Sequence, residues 1–100
     1  MKLLLIMVSN PYSNDFNTLV KLANASISKG NNTSIFFMGN GLYSIVRNEI
    51  KELAEKGVKV YYCAHNAEQR KIKPECWAES SSMYGLSKLI GESDKVLIFD

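Results

Sequence analysis

Leu3–Val8 is a run of six apolar residues with no polar break, and it constrains the fold more than any other feature of the chain. A half-exposed strand alternates apolar and polar side chains, and a surface helix repeats its apolar positions about every three to four residues. An unbroken run this short, ended by Ser9-Asn10-Pro11-Tyr12, fits a strand covered on both faces. Strands of that kind belong to parallel sheets, whose crossovers are usually helices.

The rest of the chain alternates accordingly. Asn14 or Asp15 can cap a helix, and Phe16, Leu19, Val20, Ala23 and Ile27 form one stripe before Gly30. Thr33–Met38 reads as a second strand, followed by the Gly39-Asn40-Gly41 turn. A second helix is expected over Tyr43–Lys56, with Tyr43, Val46, Ile50, Leu53 and Ala54 inward. Val58–Tyr62 is a third strand, and Cys63 stands at its carboxyl end. Residues 64–81 have room for a short helix, limited by Pro74, and for a further strand. A third helix spans Ser82–Ile90, with Met83, Leu86 and Ile90 on one face and Gly91 at its end. Lys95–Phe99 closes the pattern.

This alternation predicts a single α/β domain over residues 1–100: a three-layer, flavodoxin-like fold with a mostly parallel sheet of four to five strands and helices on both faces. The expected order puts the first strand beside both the second and the third. Ligands of such sheets bind outside the carboxyl ends of the strands, at the switch point. Two loops would flank that crevice, Ser9–Asn14 and the segment that starts at Cys63.

A net charge of +2 is too small to indicate a nucleic-acid partner. Met1-Lys2 and the apolar run mimic the start of a signal peptide. The run is shorter than the usual apolar region of about 7–15 residues, and no small-residue cleavage pattern follows. No stretch approaches the ~20 apolar residues of a membrane span, so a cytoplasmic location away from the membrane is expected. Two cysteines, Cys63 and Cys76, are too few for a disulfide scaffold, and their spacing is not a zinc pattern. With His65 the single histidine, neither a metal nor a resident cofactor is expected.

Cys63 is the candidate nucleophile. If the following segment opens a helix, backbone N–H groups would favour its thiolate. His65, Arg70, Lys71 and Lys73 would add positive potential. The alternative is a buried structural cysteine, a common fate of free Cys. A phosphatase-type loop does not fit: its Arg should stand six residues after the cysteine, where this chain has Gln69, and no glycine intervenes. Cys76 is either a resolving thiol or a small packing residue beside Trp77. Gly39-Asn40-Gly41 lacks the third glycine of a dinucleotide fingerprint. Asn10 and Tyr12, Gly39 and Gly41, and His65 and Arg70 are the expected binding residues around Cys63.

Read together, these segments resemble the DsrE/TusD group of small sulfur-transfer proteins, over essentially the whole length. The likeness rests on the Asn10-Pro11-Tyr12 turn, the aromatic strand Ser34–Met38 running into Gly39-Asn40-Gly41-Leu42-Tyr43, and Tyr62-Cys63-Ala64 with Gln69-Arg70 and Ile72 behind it. Gly85–Leu89 and Asp94–Phe99 add to it. The family often carries Gly after that Arg, where this chain has Lys71. The resemblance implies a sulfur carrier or sulfurtransferase that accepts a sulfane sulfur as a persulfide on Cys63 and hands it on, toward tRNA thiolation or sulfur metabolism. It implies donor and acceptor proteins or small thiols as partners, and a homo-oligomer, trimer or hexamer. Tyr12, Leu42, Tyr43, Trp77 and Tyr84 near turns are a surplus that assembly would cover. A non-catalytic oligomeric module, or one binding a nucleotide or FMN, stays open on the same fold.

Overall fold

The computed structural model describes residues 1–9 and 14–100. Among the described residues five strands form one sheet: β1 (Lys2–Met7), β2 (Asn32–Phe37), β3 (Lys59–Cys63), β4 (Ala78–Ser81) and β5 (Lys95–Phe99). The α-helices of the described residues alternate with them: α1 (Asn14–Ser28), α2 (Asn48–Glu55), α3 (Ala64–Gln69) and α4 (Met83–Glu92). Every strand pairing is parallel. The apolar run lies in β1, where Leu4, Leu5 and Met7 have no exposed surface.

The three-layer architecture agrees with expectation, but the strand order does not. The order is β4-β3-β2-β1-β5, so β1 lies between β2 and β5 rather than beside β3. The placement of the helices accounts for this. Phe16, Leu19 and Ala23 of α1, Ile50 and Leu53 of α2 and Ala67 of α3 all enter one core with Leu3, Leu5 and Met7. Right-handed crossovers over one face step in one direction, from β1 to β4. Among the described residues, α4 alone covers the other face, where Leu86 meets Leu4, Ile6, Phe36 and Cys63, and the chain therefore returns past β1 to β5. The switch point lies between β1 and β5, two strands away from β3.

The two faces are held unequally. A fully buried Leu or Phe side chain contributes about 1.5–3 kcal/mol. Helix α1 buries Phe16 and Leu19, and α2 buries Ile50 and Leu53, whereas Leu86 is the one buried side chain of α4. Met83 and Ile90, expected inward beside Leu86, are 48% and 44% exposed. The second helix also begins later than expected. Gly39–Ser44 is a tight 3-10 segment, whose three-residue period turns Leu42 and Ile45 into the core and leaves Tyr43 and Val46 outside. Of the turn residues expected to be in surplus, Leu42 is buried in the chain's own core, and Trp77 is half-buried against it.

Candidate functional site

The C-terminal ends of β2 and β3 are bracketed by a set of polar contacts. Gly39 N–H donates to Asn66 Oδ1 at 2.8 Å. Arg70 donates to Asn40 Oδ1 from Nη2 at 3.1 Å and from Nε at 3.4 Å. Its Nη1 also reaches the Asn66 carbonyl at 3.3 Å. Asn66 of α3 and Arg70, which caps the helix end, stand four apart on one side, and that side is clamped to the turn after β2. Gly41 lies directly against the carbonyl of Met7, which accepts from Met38 N–H at 3.0 Å. Three strand ends are thereby fixed to one turn.

Cys63 closes β3 and immediately precedes α3, in an extended conformation at φ −76° and ψ 113°. Its neighbour across the sheet is Ser81. The side chain faces α4, in the core of Leu4, Ile6, Phe36 and Leu86, and it is only 5% exposed. The sequence put this thiol at the rim of the switch-point crevice. The structure places it under α4 instead, because the even-numbered face of β1 and the Cys63 face of β3 share one core. Among the described residues the sulfur accepts no capping hydrogen bond from α3. Cys76 is exposed.

Of the expected binding residues, Gly39, Gly41 and Arg70 come together in the bracket, and His65 is exposed at the first turn of α3. Asn10 and Tyr12 lie outside the described residues. Asn40 and Asn66 were not singled out from the sequence, yet they carry the polar contacts. The four-residue spacing of Asn66 and Arg70, opposite a Gly-Asn-Gly turn, was the available signal. Among the described residues, no group of three His, Cys, Asp or Glu side chains is placed to hold a metal, and no helix is long and apolar enough to cross a membrane.

Residues 1–99 match the model of the DsrE/DsrF-like family. The chain belongs to that family. Its fold is similar to that of the YchN protein from E. coli, with a TM-score of 0.81 at 21% identity, over 99% of this chain and 100% of that one. A protein of unknown function from Methanobacterium thermoautotrophicum gives 0.78 at 10% identity, over 98% of each chain. A conserved protein of unknown function from Bacteroides thetaiotaomicron gives 0.74 at 15% identity, over 98% of this chain and 94% of that one. No curated protein matches the sequence significantly. Membership of the DsrE family points, at the family level, to a role in sulfur relay with partners.

Proposed function

We propose that this chain is a cytoplasmic sulfur carrier in which Cys63 accepts a sulfane sulfur as a persulfide and passes it to a partner. The observation that carries the reading is a cysteine at the strand end next to the Gly39–Asn66 bracket, in a chain whose family works in sulfur relay. In the step, the Cys63 thiolate attacks the outer sulfur of a donor persulfide. The donor's S–S bond breaks and the donor leaves as a thiolate. Cys63 then holds the new S–S bond, and no net oxidation occurs. Attack by an acceptor thiolate on the outer sulfur returns Cys63 and completes the transfer.

Burial of the sulfur adds a requirement. A donor reaches Cys63 when α4, anchored by Leu86, lifts its first turns from the sheet. An element with few buried side chains opens locally at low cost, and Leu86 is the one buried side chain of α4. The exposed apolar residues Tyr43, Val46, Tyr84 and Ile98 support assembly into a homo-oligomer, trimer or hexamer, whose mass light scattering would give. A monomer at all concentrations would exclude that assembly.

The 5% exposure of Cys63 favours a second reading, a non-catalytic module in which the thiol only packs. Intact-protein mass spectrometry after incubation with a sulfane-sulfur donor separates the two. The carrier gains one sulfur atom, and Cys63→Ser gains none while Cys76→Ser still loads. A correctly folded protein that takes up no sulfur from any donor is the packing module.

A further inference from the structure

On the opposite face of the sheet from the Cys63 side chain, an apolar groove of about 560 Å³ opens beside α3. Buried Ala67 and half-buried Tyr62, Ile72 and Pro74 line it, together with the exposed Ala64. The volume lies within the range of about 300–1,000 Å³ typical of small-molecule sites. Lys71, Lys73 and Glu68 stand at the rim. Among the described residues the one ion pair is Arg47–Glu49, so both ammonium groups are unpaired. Two cations against one carboxylate leave the rim positive.

The backbone at the rim is informative too. Lys71 has φ +55°, and among the described residues it is the one non-glycine residue in the left-handed region. Its N–H donates to the Glu68 carbonyl at 3.1 Å, and Ile72 N–H donates to the Ala67 carbonyl at 2.9 Å. This is the usual left-handed close of a helix, where glycine carries no strain and a side chain costs about 1 kcal/mol. The same turn folds Ile72 back onto α3 and so into the groove lining. A lysine at that position gives up stability and sets a cation at the mouth of an apolar groove.

We propose that this groove binds a small amphiphilic anion, an aromatic or aliphatic body bearing a carboxylate or sulfonate. The body fills the groove between Ala67 and Ile72, and the anionic group meets Lys71 and Lys73, whose methylene stems extend the apolar wall. The site is separate from the Cys63 sulfur and does not rest on the carrier reading.

The test is a pair of fluorescent probes with similar rings, the anionic anilinonaphthalene sulfonate and the neutral phenylnaphthylamine. The wild-type protein should bind one sulfonate per chain, with amide shifts at Ala64, Ala67 and Ile72. Lys71→Gly, which relieves backbone strain, and Lys73→Ala should each weaken the sulfonate about two- to fivefold, the range of an exposed ion pair, and leave the neutral probe unchanged. Ala64→Trp, at an exposed position of the groove lining, should block both probes. Cys63→Ser should bind as the wild type does. Sulfonate binding indifferent to both lysine variants, or both probes binding undiminished to Ala64→Trp, overturns the proposal.

Discussion

Gly41→Ala should damage this fold more than any other single methyl group added to a glycine. A Cβ at Gly41 would overlap the carbonyl oxygen and carbon of Met7. That carbonyl cannot swing aside freely, because it accepts from Met38 N–H at 3.0 Å and holds the end of β1 to the segment after β2. If the turn moves instead, Leu42 and Ile45, both fully buried, are drawn out of the core. Overpacking costs about 1–3 kcal/mol, and loss of the hydrogen bond adds about 1 kcal/mol. The expected loss is about 2–4 kcal/mol, which in a domain of this size lowers Tm by about 8–30 °C. Gly91→Ala is the matched control. Nothing lies within 4 Å of its added Cβ in α4, and the exchange should gain a few tenths to about 1 kcal/mol. Calorimetry or thermal circular dichroism on the two variants gives the comparison. A Gly41→Ala protein melting within about 3 °C of the wild type would refute the close approach of turn and strand.

Further outcomes follow from the same geometry. Lys71→Gly should raise stability by about 0.5–1 kcal/mol in urea unfolding, since glycine accepts the left-handed backbone that lysine strains to adopt. Leu86→Ala should cost about 2–4 kcal/mol and speed alkylation of Cys63, while the exposed Cys76 reacts first in both proteins; equal Cys63 rates would mean that α4 does not gate the sulfur. Tyr61 ionises above its ordinary value of 10.0, chiefly through burial and then through Glu79 and Glu92. Because the raised value favours the neutral phenol in the fold, stability should be full below pH 10.0 and fall as pH climbs toward the folded value. Tyr61→Phe should flatten that alkaline decline in urea midpoints, and an unchanged decline would assign it to another group.

The sequence determined the class of fold. The unbroken apolar run of β1 required cover on both faces, and the stripe of Phe16, Leu19 and Ala23 identified a helix to provide it. Cys63 at a strand end, the Gly39-Asn40-Gly41 turn and the family likeness were legible because they depend on residue type and local spacing. Strand order was not legible, because periodicity shows that a helix has an apolar face but not which side of the sheet receives it. That choice put α1, α2 and α3 on one side and α4 on the other, and so moved the switch point to β1 and β5. It also decided the fate of the thiol. Cys63 looked like a rim residue in one dimension. Parallel register with Ser81 and a core shared with Leu4 and Leu86 bury it, since exposure is a property of what packs over a residue and not of the residue's place in the chain.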